Sequence, residues 1–382
     1  MTLEKKLQLS RVQERLDVLG WNQAGLASNL GLSRAAVSKW FTGKAFPRPA
    51  ELLKLGKALT LGFKDLIETP PDKPTPLIAF RKRAGTVTTD EHTDRAREMG
   101  RLLERLVPFL NYDPFDTPVR LKNPVEDYNY LQRLVTKIRL DLNLDPSKPI
   151  RFEDLIGRFN QLQSVLVPVM WGKRSRHENA LHIYLPASQT TWVFLNLDSE
   201  LHDFKFWMAH ELGHVLSVSL LENKDIDAAE DFADEFAGAL LFPKSAAEEW
   251  LAPYQRAKTP KGRVRVLLEA AREYVISPFS VYKELEKLAG AASLAFESLD
   301  PRLLHAEISA FNAGFKTISE ILFDGHKPSA DHYMRKSMET FSTPVFKALG
   351  ECNQRESLSE SVISRMLDIP LVDAREIKSA LA

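Results

Sequence analysis

Two imidazoles stand four positions apart in His210-Glu211-Leu212-Gly213-His214, with a carboxylate beside the first. On a helix, positions i and i+4 lie one above the other on the same face, so both rings could converge on one Zn2+. Glu211 would then sit where it can take a proton from a zinc-bound water. Catalytic zinc keeps three protein ligands and an open fourth position, so one more donor must come from elsewhere in the chain. The stretch Glu230 to Leu241 reads as an amphipathic helix closed by Pro243, with Phe232, Ala233, Phe236, Ala237, Leu240 and Leu241 on its apolar side. Glu230 falls near that side, where an acid is costly unless it is paired or metal-bound. It is the candidate third ligand. Asp234, one turn later, is the candidate to hold a ligand histidine by its other ring nitrogen. Acids at a helix start also suit the helix dipole, and Asp231 and Glu235 read as solvated. His177, His182 and His202 could each stabilise an oxyanion, but they read as surface or packing residues, because two histidines and a glutamate already complete a zinc site.

A second pattern lies near the N-terminus. Leu26, Ala27 and Leu30 form one helical face, Gly31 is a helix stop, and Ser33 is an N-cap for the next helix. Val37 and Trp40 then turn inward, which leaves Arg34, Ala35, Ser38 and Lys39 on the open side. Small residues at a helix start permit close approach to a DNA major groove, while Arg and Lys reach bases or phosphates.

The elements that must position these groups fall into mainly α structure with a small β-sheet, an α+β class. Residues 1–69 read as short helices, an N-terminal helix-turn-helix bundle. They hold eleven Lys/Arg against six Asp/Glu, a surplus of five in a chain whose net charge is +0, so a polyanion partner suits this end alone. Four prolines between Pro70 and Pro76 then favour an extended spacer, and 70–124 reads as a linker with a connecting helix over 91–110. Helical spacing returns at 126–145 and 152–162. Strand patterns occur at 164–170, 181–185 and 191–197. From about 203 helices dominate, including a pair over 264–288. Residues 125–290 are expected to form the zinc domain, and 291–382 a helical C-terminal domain for sensing or dimerisation. Within it, 357–380 reads as a helical pair.

The two motifs carry family resemblances. Residues 9–67 resemble the lambda-repressor-like XRE regulators, through Gln23, Leu26-Ala27, Gly31, Ser33, Val37-Ser38, Trp40, Gly43-Lys44 and the later Leu52, Leu55, Ala58 and Leu59. Phe41 stands where that family usually has an acid. The resemblance implies an operator in double-stranded DNA, contacts from Gln23, Ser33, Arg34, Ala35, Ser38, Lys39 and Lys44, and a homodimer. Residues 125–290 resemble the ImmA/IrrE-type (M78) metallopeptidases, zincin-like enzymes. The matching residues are Phe206, Ala209 to His214, Glu230, Ala233, Phe236, Ala237, Leu240, Leu241 and Pro243. Asp234 replaces a frequent asparagine. Val193 to Asn196 looks like the family's strand before the active-site helix, expected to line the cleft and to pair with an extended substrate backbone. The resemblance implies Zn2+, His210, His214 and Glu230 as ligands, Glu211 as the catalytic base, and a repressor as protein substrate in a stress or phage response. The chain itself, near the proline spacer or within 111–125, is the other candidate substrate. A non-enzymatic regulator whose peptidase-like domain only senses or dimerises is the alternative.

Composition agrees with a cytoplasmic protein. No apolar run approaches the ~20 residues of a membrane span, and the first six residues lack a signal-peptide core. The single cysteine, Cys352, excludes an intrachain disulfide and a cysteine-rich zinc site.

Overall fold

A computed structural model describes residues 7–62, 66, 75–79, 90–112, 119–172 and 180–381. The chain divides into two compact units, Met1–Pro74 and Thr75–Ala382.

Among the described residues, the first unit packs four helices together: α1 (Leu9–Leu19), α2 (Gln23–Leu30), α3 (Arg34–Phe41) and α4 (Pro49–Leu59). Each boundary has a local cause. Asn22 Oδ1 accepts the amides of Ala24 and Gly25 to open α2. Gly31, at φ 68°, closes it in the left-handed region that glycine enters without penalty. Ser33 Oγ accepts the Ala36 amide at 3.2 Å to open α3. The inward faces supply one small core, in which Val12, Leu16, Leu26, Leu30, Val37, Trp40 and Leu55 are buried.

The second unit is mainly helical around a four-stranded mixed sheet. Its strands are β1 (Leu77–Ala79), β2 (Ser164–Val169), β3 (Ala180–Leu185) and β4 (Thr190–Asn196), in the order β1-β3-β4-β2. β3 runs antiparallel to both β1 and β4, whereas β2 and β4 are parallel. β1 has no counterpart in the strand patterns of the sequence. Three residues are too few to show alternation, and they follow directly on a proline run.

The helices of this unit are α5 (Asp90–Leu103), α6 (Tyr128–Asp141), α7 (Phe152–Gln161), α8 (Leu201–Leu216), α9 (Val218–Glu222), α10 (Ile226–Leu241), α11 (Lys244–Arg256), α12 (Pro260–Tyr274) and α13 (Pro278–Ala291). They continue with α14 (Pro301–Asn312), α15 (Ile318–Phe323), α16 (Ala330–Phe341), α17 (Val345–Glu356), α18 (Glu360–Leu367) and α19 (Leu371–Ala380). β2, β3 and β4 are buried along their whole length, because α8 packs on β3 and β4 while α5 lies against β1 and β3. The C-terminal helices do not stand apart. Leu304, Ile318, Tyr333, Val345, Ile363 and Ile377 belong to the same core as the sheet and α8. The Tyr333 hydroxyl donates to Pro168 O and the Thr343 hydroxyl to Leu166 O, both on β2. Trp171 Nε1 donates to Asp368 O at 2.9 Å, in the turn between α18 and α19. No helix among the described residues is long and apolar enough to cross a membrane.

Two buried cations brace the helices. The Arg139 guanidinium on α6 donates to Leu240 O at 2.7 Å, at the end of α10, and to the carbonyls of Asp145 and Lys148. Positive charge at a helix C-terminus is favourable, and this one also satisfies carbonyls left free there. Lys205 Nζ on α8 donates to Tyr274 O at 2.7 Å, and burial pushes its ammonium down to about 7.

The backbones of α8 and α10 come close together at Gly213. A Cβ on Gly213 would lie 2.9 Å from Ala233 Cα and 3.2 Å from Phe236 Cδ1. Only a bare α-carbon lets the two backbones come this close. Gly213→Val is expected to force the helices apart and to lower stability by about 1–3 kcal/mol, the usual range for overpacking a tight core. Denaturant unfolding measures this, and an unchanged midpoint would show that the helices separate freely.

Candidate metal centre

That close approach brings two short motifs onto one point. α8 carries His210, Glu211 and His214, and α10 carries Glu230 and Asp234. His210 Nε2 and His214 Nε2 face each other at 3.1 Å. Glu230 Oε2 lies 3.5 Å from His210 Nε2, and its Oε1 lies 3.3 Å from His214 Nε2. One ligand atom from each of the three residues lies within 4.8 Å of the others. Both histidines are buried, and neither Glu230 oxygen has a hydrogen-bond partner among the described residues. Three buried donor groups aimed at one point, with the carboxylate otherwise unsatisfied, fit a divalent cation with nitrogen and oxygen ligands.

The orientation of His210 fits the same use. Its Nδ1 lies 2.9 Å from Asp234 Oδ1. With the ring proton held there, Nε2 is left as a lone-pair donor facing Glu230. Asp234 is part-exposed and Glu230 is not, so the second carboxylate braces the ring from the solvent side.

Glu211 projects beside the cluster and is 4% exposed. Burial pushes its carboxyl up to about 7, with the charge of Glu230 adding to the effect and the two histidines opposing it. Burial likewise works against a charged His210, but Asp234 and Glu230 outweigh it and lift the ring to about 9. Glu230 feels burial too, yet its histidine neighbours hold it well below the usual carboxylate range. These directions belong to the side chains alone. A bound dication would add the largest local charge and hold both imidazoles neutral.

The structure brings one further residue to the site. His182, on β3, is wholly buried, and its Nδ1 lies 3.5 Å from Glu211 Oε2. Its ring centroid is 5.4 Å from that of His214. Neither of its nitrogens has a hydrogen-bond partner among the described residues, and burial pushes it down to about 3, so it stays neutral beside Glu211. The sequence signal was only its alternation in a strand, which says nothing of what lies across the sheet. His202 is elsewhere. It sits two turns before His210 on α8, with its ring 4.9 Å from that of Phe315. His177 and its basic neighbours Lys173, Arg174 and Arg176 lie outside the described residues, as do most of the proline spacer and residues 113–118.

The expected cleft strand needs correcting. β4, which holds Val193 to Asn196, is paired on both sides, with β3 along one edge and β2 along the other. A strand with both edges bonded has no free amides or carbonyls for a substrate backbone.

In the first unit, Gln23, Ser33, Arg34, Ala35, Ser38, Lys39 and Lys44 are all exposed, while Val37 and Trp40 are buried. The start of α3 therefore presents small side chains together with Arg34 and Lys39. The Ser33 hydroxyl is already used as the cap of α3.

Comparison with protein families gives two matches, in the two units separately. A helix-turn-helix model matches residues 12–66, and the IrrE N-terminal-like domain of the M78 peptidases matches residues 171–286. No curated protein and no solved structure matches the chain. The second match spans α8 and α10, and with them every residue of the metal cluster. This chain therefore joins an XRE-type helix-turn-helix DNA-binding domain to an IrrE N-terminal-like domain of the M78 peptidase family.

Proposed function

We propose that this chain is a DNA-binding transcription regulator with zinc-dependent endopeptidase activity, and that its substrate is a regulatory protein. The observation that carries this reading is the buried convergence of His210, His214 and Glu230 with Glu211 alongside. Those three residues would hold Zn2+, which would acidify a bound water and polarise the scissile carbonyl. Glu211 takes the water proton and returns it to the leaving amine, a role suited to a carboxyl raised towards neutrality by burial. Asp234 keeps the His210 ring turned with Nε2 towards the cluster. The ligand side chains and Glu211 are buried, which strengthens each of these interactions.

The substrate we infer is a separate repressor encoded nearby, or this chain itself, cut near the proline spacer or within 111–125. A stress or phage cue, a cytoplasmic setting and a homodimer on paired half-sites complete the reading. The supporting observation for DNA is the surplus of positive charge in residues 1–69 together with the exposed start of α3.

Three outcomes test this reading. Purified protein with zinc is expected to cut a repressor substrate or itself, and Glu211→Gln should lower the rate by roughly 100-fold or more while one zinc per chain is retained. Loss of the zinc along with the activity would remove Glu211 from the role of base. Asp234→Ala is expected to weaken zinc affinity about 10–100-fold, read by chelator competition. Arg34→Ala and Lys39→Ala are expected to weaken duplex binding. Any phosphate contact among them lowers the slope of log Kd against log salt by about 0.9. Unchanged binding in both variants would move the interface off α3.

A further inference from the structure

The sheet has two outer edges, and the chain closes them in different ways. At β2, hydroxyls of Tyr333 and Thr343 donate to the carbonyls of Pro168 and Leu166, and the helices that carry them are part of the main core. At β3, the cover among the described residues is the three-residue strand β1. Leu77 pairs with Tyr184, Ile78 with Ile183 and Ala79 with His182. Leu77 and Ile78 are only half-buried, and the strand follows directly in sequence on the proline run.

β1 lies beside β3, which carries His182, and packs against α10 next to Glu230. Directly opposed residues of an antiparallel pair share a face of the sheet. Ala79 is therefore on the side of His182, which touches Glu211. Ala79 also packs with Leu221 and with Ala229, the residue before the ligand Glu230, and Leu77 joins the same cluster. Ile78 points to the other face, where Gly100 of α5 comes within reach of Pro76 and Ile183.

An extended polypeptide offered to the centre needs a strand edge to pair with. β4 has none free, and β2 is capped on the far side of the sheet from β3. The strand that carries His182 to Glu211 is β3, and along its side away from β4 the chain's own Leu77–Ala79 already lies antiparallel. We infer that Leu77–Ala79 is an intramolecular occupant of the position a substrate strand would take. The same edge, once vacated, accepts an extended apolar segment with a small residue opposite His182. The word substrate rests on the peptidase reading above, whereas the docking itself requires no catalysis. A tethered strand of this kind competes at the high effective concentration of an intramolecular ligand, so it keeps out a weakly binding segment until it is displaced.

The test separates docking from cleavage. A fluorescein-labelled peptide with the sequence of residues 74–81 is titrated into the full-length, zinc-loaded chain carrying Glu211→Gln, which keeps the probe intact. The same titration is made after adding Leu77→Asp and Ala79→Asp, which place charges against Leu220, Leu221 and Ala229. Binding at least tenfold tighter to the aspartate variant is the expected result, and equal binding by the two folded proteins overturns the inference. Hydrogen exchange on the unsubstituted chain covers the case in which the aspartates prevent folding. The amides between β1 and β3 are expected to exchange at least tenfold faster than those between β4 and β2. Equal protection would make β1 a permanent strand and end the proposal. Zinc-dependent hydrolysis of casein, with Glu211 intact, is then compared with and without the aspartates and should rise with them. Peptide binding without hydrolysis in either form would leave the docking standing and remove the peptidase.

Discussion

A carboxylate buried against two imidazoles is the constraint from which the second unit takes its shape. Left to themselves, three such groups are costly to bury, since each loses its hydration and their mutual attraction must repay that loss. A divalent cation turns the same arrangement into a favourable one. The fold meets the geometric demand by crossing α8 and α10 where Gly213 faces Ala233, and it anchors the far end of α10 through the Arg139 guanidinium. The sheet then serves as the floor against which α8 is held.

Much of this could be read from the chain before any coordinates. The four-residue spacing of His210 and His214 has meaning only on a helix, and an acid at Glu230 beside a row of apolar residues asks for a partner. The helix-turn-helix was legible for a similar reason. Its caps at Gly31 and Ser33 are local chemistry, and local chemistry is written in consecutive residues.

What stayed hidden is long-range. β1 is too short for periodicity, and its partner lies about a hundred positions away in β3. His182 meets Glu211 across the packing of a strand on a helix, which no spacing rule describes. Arg139 and Lys205 break the expectation that charged residues mark a solvated helix face, and only the carbonyls they reach explain their burial. The strand before α8 was expected at the cleft because it resembles the M78 family's strand before the active-site helix. In the sheet it is central, since β3 passes outside it.

The shared core of the second unit has a consequence for how the protein comes apart. Side chains from α14 to α19 are interleaved with those of the sheet and of α8, so no cut in the later helices would release a module able to stand by itself. On heating, residues 75–382 should melt as one cooperative block, with the small N-terminal bundle following its own transition. A ligand gripping α16 or α19 would then stiffen the metal cluster without touching it, simply by raising the cost of opening the whole block.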